Sequence, residues 1–205
     1  MPPALFEPLK VNEITLANRI VVAPMCQYSA IEGNATDWHL GHLLQLAISG
    51  ADVHFLMRAD LEHVSRFGIR IESNNTGAEV LSKVNAYGCA EDIGYCDLVI
   101  VALKATDNHS LEGILPPLLR DDTTIMTLQN GLGNEEFLAN RFGGDRVVGG
   151  LCFVCINRSS PGVINHIAQG KITCGEFIGL PLPRTHDIGL IFKRAGVPFF
   201  VAESR

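Results

Sequence analysis

No apolar run in these 205 residues approaches the ~20 residues of a membrane span. The N-terminus, Met1-Pro-Pro-Ala-Leu-Phe-Glu7, lacks the basic and apolar regions of a secretory signal. Positive charge is scarce: 16 Lys and Arg stand against 22 Asp and Glu, for a net charge of −6. Without a basic face, nucleic acid and membrane are not expected as partners, and the cytosol is the expected compartment. Internal repeats and low-complexity linkers are missing as well. What remains is ordinary globular material. At 47% hydrophobic and 19% charged, the chain carries enough apolar residues for the core of one domain, or one and a half.

Cysteine is present without organisation, at positions 26, 89, 96, 152, 155 and 174. Cys152 and Cys155 form a C-x-x-C, but they lie in an apolar run, Leu151–Ile156, that reads as a strand. An offset of three puts them on opposite strand faces, and no second Cys/His pair stands at a zinc spacing. Buried free thiols are expected. His39 and His42 are three apart on a predicted helix but have no third ligand candidate, so no metal site is expected.

The organising stretch is 97–133. Asp97-Leu-Val-Ile-Val-Ala-Leu103 and Thr123-Thr-Ile-Met-Thr-Leu128 are short apolar runs bounded by turn residues, the pattern of strands buried on both faces. Between them, Leu111, Ile114, Leu115, Leu118 and Leu119 have helical spacing and predict a helix over 108–120. Strand, helix and strand make a βαβ unit, whose ligands belong at the carboxyl ends of the strands. Lys104 and the pair Asn130-Gly131 fall at those ends. The fold class expected is α/β: a Rossmann-like open, mostly parallel sheet with helices on both faces.

Leu103-Lys-Ala105, Gln129-Asn-Gly-Leu-Gly-Asn-Glu-Glu136, the Arg58 that ends Val53–Met57, and Arg146–Phe153 followed by Ser160–His166 together resemble the ketopantoate reductase family. The resemblance runs from about 50 to 205, as an NADP-binding domain. It implies NADPH-dependent reduction of 2-dehydropantoate, a small 2-keto acid, to pantoate. It implies that Arg58 meets the 2′-phosphate of NADP, and that Lys104, Asn130 and Gly131 lie near the nicotinamide and substrate. Lys104 and Asn130 are thus the candidate catalytic residues. It also implies a helical C-terminal domain carrying the proton-donating lysine, which the sequence reading expects to be missing here.

Residues 1–49 resemble a different family. Leu5–Lys10, Ile14–Ile20, Val21–Ser29 and Asp37–Leu40 are similar to the start of old yellow enzymes, flavin-dependent ene-reductases on a (β/α)8 barrel. There, Ala23-Pro-Met-Cys26 would lie beside the flavin and Tyr28 would face substrate. A barrel of ~250 residues does not fit in this chain. The sequence therefore reads as a fusion joined near Ile48–Ala51, the first piece serving as a strand, loop and helix that complete the sheet. Arg19–Ala23 is the strand, 26–36 the loop, and Leu40, Leu43, Leu44 and Ala47 mark the helix stripe.

This borrowed piece does not supply a G-x-G-x-x-G turn, whose glycines let backbone approach a pyrophosphate. No such motif occurs in the chain, and the corresponding loop carries Glu32. NADP binding is therefore expected to be weak or lost. Three functional readings remain: a weak or inactive relative of 2-dehydropantoate 2-reductase, a remnant FMN-dependent ene-reductase, or a non-catalytic Rossmann-like fold.

Overall fold

The computed structural model describes residues 9–11, 14–16 and 20–25 as backbone, and 52–203 in full. The predicted loop and helix over 26–49, with Glu32, Tyr28, His39 and His42, lie outside the described residues.

A small antiparallel pair, β1 (Leu9–Val11) and β2 (Ile14–Leu16), precedes the main sheet. The main sheet takes in β3 (Ile20–Met25), β4 (His54–Leu56), β7 (Asn85–Tyr87), β8 (Leu98–Ala102), β9 (Thr124–Thr127) and β10 (Val147–Ser160). In space these run β7-β4-β3-β8-β9-β10, all parallel. This is the doubly wound order in which the chain starts in the middle, winds to one side and then to the other.

β8 explains why a near-continuous apolar run is needed. All five of its residues are buried. Leu98, Ile100 and Ala102 enter one core with Phe55, Met126, Val148 and Ile172. Val99, Val101 and Leu103 enter the other with Leu111, Leu115, Leu118, Ile125 and Leu138. A strand covered on both faces leaves no polar position, as the sequence pattern implied.

Beyond β10 the sheet becomes mixed: β11 runs antiparallel to β10 but parallel to its neighbours on the other side. β10 and β11 (Val163–Glu176) form a 14-residue-per-arm hairpin, so the strand read over Leu151–Ile156 is the middle of a longer one. A register shift at Phe153/Val154 bends it, opposite Gln169 (φ 66°) and Gly170 (φ 126°). On one side of the bend β11 pairs with β5 (Ile69–Ser73), which continues into β6 (Gly77–Leu81). On the other it pairs with β12 (Phe199–Val201). The shift at Phe153/Val154, with a second at Cys155/Ile156, lets a single strand serve two neighbours.

Four α-helices lie among the described residues: α1 (Leu61–Phe67), α2 (Leu111–Ile114), α3 (Asn134–Phe142) and α4 (Pro183–Arg194). Gly68 ends α1 at φ 75°, and any Cβ there would sit 2.0 Å from the Leu81 carbonyl oxygen. On α4, Ile188, Ile191, Phe192 and Ala195 form a buried stripe at helical spacing. Phe192 stacks on Phe199 of β12 with ring centroids 5.1 Å apart.

Two local expectations are corrected, and one helix cap is unusual. The helix predicted over 108–120 is broken: a 3-10 turn covers Ala105–Ser110, α2 spans only four residues, and a second 3-10 turn covers Pro116–Leu118. The cause is Pro116-Pro117, whose missing N–H groups and ring sterics stop an α-helix. Asn134, whose residue type suits an N-cap of α3, is instead its first residue; the cap is Gly133 in the left-handed region (φ 86°). Cys155 is exposed and not buried, while Cys152 packs against the core, so the C-x-x-C is indeed split across two faces.

Candidate functional site

The strand order reverses between β3 and β8, and in such sheets the ligand crevice opens at the carboxyl ends beside that switch point. Three positions marked by the sequence emerge at this edge: Arg58 just after β4, Lys104 just after β8, and Asn130 just after β9. None of these three strands contains a lysine, arginine or carboxylate, and the charged side chains of Arg58 and Lys104 appear where the backbone leaves the core.

Two turns form the floor. After β8 the chain passes through Lys104 in an extended conformation and into the 105–110 turn, where the Asp107 N–H donates to the Lys104 carbonyl at 2.8 Å. After β9 it passes through Gln129, Asn130 and Gly131, the last at φ 110°, a conformation that favours glycine. Asn130 and Gly131 are exposed and Lys104 is half-buried.

A chain of amides joins the two turns. Gln129 Nε2 donates to the Leu103 carbonyl at 2.8 Å and to Asn108 Oδ1 at 2.7 Å. Asn108 Nδ2 donates to Asn134 Oδ1 at 3.0 Å. Asn134 Nδ2 then donates to the carbonyls of Asn130 and Gly131, both at 3.3 Å. Thr127 Oγ1 completes the set by donating to Gln129 Oε1 at 3.1 Å. Amides suit this task because each carries both donors and acceptors. The chain fixes where Asn130 and Lys104 stand relative to one another.

On the far side of the 105–110 turn, Arg58 Nη1 pairs with Asp107 Oδ2 at 3.3 Å, with 51% and 32% of the two side chains exposed. Arg58 also lines a cavity of about 240 Å³ with Leu56, Cys89, Glu91, Gly113 and Ile114. Cys89 Sγ donates to Glu91 Oε2 at 2.9 Å, which pushes the thiol up and holds the carboxylate below its ordinary range. The cavity is below the ~300–1,000 Å³ of a drug-sized pocket and suits one end of an elongated ligand. The donor set is mixed: one guanidinium fits a phosphate, while Asp107 and Glu91 oppose it.

Arg58, Lys104, Asn130 and Gly131 therefore share one edge, with Arg58 turned toward Asp107. Asp107, Asn108, Gln129, Asn134, Cys89 and Glu91 join the site only in the folded chain. The sequence signals for them are the polar triplet Thr106-Asp107-Asn108 directly after a buried strand and the run Gln129–Glu136 that holds Gln129 and Asn134; nothing in the sequence marks Cys89 or Glu91.

A larger cavity, about 420 Å³, lies away from this edge between β5 and β12. Within its lining, Ser73 Oγ lies 2.9 Å from His166 Nδ1, and His166 Nε2 lies 2.9 Å from the Gln169 carbonyl.

Comparison with known proteins gives this geometry a context. Residues 39–179 match the family described as ketopantoate reductase PanE/ApbA. A 2-dehydropantoate 2-reductase from Nostoc sp. is 42% identical over 183 residues, covering 86% of this chain and 56% of that protein. The crystal structure of a 2-dehydropantoate 2-reductase from Geobacter metallireducens superposes with a TM-score of 0.81 at 38% identity, over 90% of this chain and 58% of that one. This chain thus spans between half and two thirds of the length of these relatives.

Residues 4–53 match the NADH:flavin oxidoreductase / NADH oxidase family. An NADH:flavin oxidoreductase from Gibberella zeae is 54% identical over 39 residues, 19% of this chain and 9% of that protein. The two family matches overlap at 39–53, so the join expected near Ile48–Ala51 falls within the shared stretch. With residues 39–179, well over half of its length, matched to the family and its fold shared with a solved 2-dehydropantoate 2-reductase, the chain belongs to the ketopantoate reductase family.

Proposed function

We propose that the carboxyl edge of β4, β8 and β9 is a site for NADP and a small 2-keto acid, and that the parent reaction is reduction of 2-dehydropantoate to pantoate. The single observation that supports it best is the emergence of Arg58, Lys104 and Asn130 on one edge, flanking the switch point, with Lys104 and Asn130 locked together by buried amides. Bound NADPH would supply the hydride. Arg58 would hold the 2′-phosphate end in the 240 Å³ cavity. Lys104 would draw the substrate carboxylate or nicotinamide end into register by its charge, and the Asn130 amide would donate to the keto oxygen or accept from the carboxamide.

Affinity for NADP is proposed to be weak, because no G-x-G-x-x-G turn occurs in the sequence. Residues 1–49 are proposed to act as a segment that completes the sheet; support comes from β3, which pairs in parallel with β4 and β8. The 205 residues by themselves are proposed to turn over keto acid slowly or not at all. Weak cofactor binding leaves little bound hydride donor for that step.

The test is NADPH titration by fluorescence with keto acid-dependent NADPH oxidation alongside. Weak NADPH binding, lost in Lys104→Ala or Asn130→Ala while the fold persists, is expected. Binding indifferent to both substitutions overturns the site. The match over residues 4–53 favours one second reading, a remnant flavin site at Ala23–Cys26. It requires purified protein that is yellow, whereas the nucleotide reading expects colourless protein.

A further inference from the structure

The Arg58 guanidinium has a partner of its own. Asp107 Oδ2 stands 3.3 Å from Arg58 Nη1, across 49 residues of sequence. The backbone of Asp107 is held from three directions. Its N–H donates to the Lys104 carbonyl at 2.8 Å, and its carbonyl accepts from Ser110 Oγ at 2.7 Å. Its neighbour Asn108 is fixed by Gln129 and Asn134. The carboxylate is therefore delivered to the Arg58 guanidinium by a hydrogen-bonded turn. A second carboxylate, Glu91, lines the same cavity with Arg58.

We infer that Asp107 is a specificity-determining residue for the adenosine end of the cofactor, competing with a 2′-phosphate for Arg58; this rests on the nucleotide reading above. Both side chains are partly solvated, and exposed ion pairs are weak, so a phosphate dianion can displace the carboxylate from the guanidinium. Once displaced, the carboxylate stays nearby on its fixed turn and repels the phosphate. The same carboxylate accepts from a ribose 2′-hydroxyl, which is how acids near this strand end favour the non-phosphorylated nucleotide. Asp107 thus narrows the preference for NADPH over NADH that Arg58 alone would impose.

The experiment is a set of four proteins, wild type, Asp107→Asn, Arg58→Ala and the double variant. Each is titrated with NADPH and NADH by fluorescence and with 2′,5′-ADP by calorimetry. Asp107→Asn is expected to tighten NADPH and 2′,5′-ADP by about three- to tenfold, the scale of one exposed ion pair plus relieved repulsion. NADH is expected to stay unchanged or weaken, and the gain should shrink at high salt. In the Arg58→Ala background the gain for the phosphorylated ligands should disappear. Asp107→Ser repeats the measurement if the asparagine variant is unstable.

Three results overturn the inference: no gain for NADPH, an equal gain for NADH, or a gain that survives without Arg58. Absence of binding by every nucleotide to every variant overturns the nucleotide reading and this inference together. Binding that persists with an unchanged NADPH-to-NADH ratio in Asp107→Asn overturns the inference alone.

Discussion

Gln129 Nε2 donates to Asn108 Oδ1 at 2.7 Å, joining the turn after β9 to the turn after β8. The bond is made where two parallel strands end, 21 residues apart in sequence. Neither residue sits at the exposed tip. They act beneath it, setting the separation of Lys104 and Asn130 as a bolt would between two plates.

Gln129→Leu should therefore cost stability as well as position. It leaves the Leu103 carbonyl and Asn108 Oδ1 without their donor in a place where Gln129 is only 8% exposed. An unsatisfied buried polar group costs about 1–3 kcal/mol. Urea denaturation is expected to report a loss of that size, and NADPH affinity should fall with it. Gln129→Glu, which keeps shape and loses the donor, should behave like the leucine variant; wild-type stability in both would mean the amide chain is incidental.

The core beneath α4 admits a sharper test. Phe192 is 1% exposed, stacks on Phe199 and lies on the buried stripe of α4. Phe192→Ala should cost about 3–5 kcal/mol, a large part of the ~5–15 kcal/mol that holds a typical domain together. The denaturation midpoint should drop steeply with little change in slope. Phe192→Leu should lose much less.

β8 and β9 are readable from the sequence because burial on both faces leaves β8 wholly apolar and admits into β9 only the β-branched threonines Thr124 and Thr127, a pattern that arises in few other settings. The segment between them reads as one helix because apolar spacing at Leu111, Ile114, Leu115 and Leu118 survives the interruption at Pro116-Pro117; periodicity records which side faces the core, not whether hydrogen bonds continue. Lys104 and Asn130 are legible because a strand end marks them locally. The pairing of Arg58 with Asp107 is invisible in the sequence, since it depends on β4 and the 105–110 turn meeting at one sheet edge. Asn134 looks like a cap by its type, but the left-handed Gly133 takes that role and frees the asparagine to bridge two loops.

The cysteines offer a chemical map. Cys89 and Cys155 are exposed. Burial pushes the thiols of Cys96 and Cys152 well up, and burial with Glu176 nearby pushes Cys174 up to about 12. At pH 8 an alkylating reagent followed by peptide mass mapping should mark Cys89 and Cys155 well before Cys96, Cys152 and Cys174. The hydrogen bond from Cys89 to Glu91 raises the thiol above its ordinary value, so its reactive thiolate is suppressed at that pH. Glu91→Gln removes the charge, lowers the thiol toward its ordinary value and should speed alkylation of Cys89 alone. Because Cys89 lines the Arg58 cavity, NADPH should slow its alkylation and leave Cys155 unaffected. Equal slowing of both, or of neither, would place the nucleotide elsewhere.

The last prediction concerns the piece that resembles another family. β3 runs parallel to β8 through Ile20↔Leu98, Val21↔Val99 and Val22↔Ile100, and parallel to β4 through Val22↔Phe55. It is the strand from which the doubly wound order departs in both directions, so the two sheet halves meet only across it. Without it, β4 and β8 would each present an unpaired edge beside residues as buried as Phe55, Leu98, Val99 and Ile100. Unpaired backbone groups in such a setting cost about 1–3 kcal/mol each, and several together exceed the stability of a typical domain. A protein beginning at Gly50 should therefore fail to unfold cooperatively, show weakened far-UV dichroism and aggregate through its open edges. Supplying residues 1–49 as a separate polypeptide should recover part of the cooperative transition, because the strand is then available in trans. If the protein beginning at Gly50 is monomeric and unfolds as sharply as the full chain, β3 is dispensable and the first 49 residues do not complete the sheet.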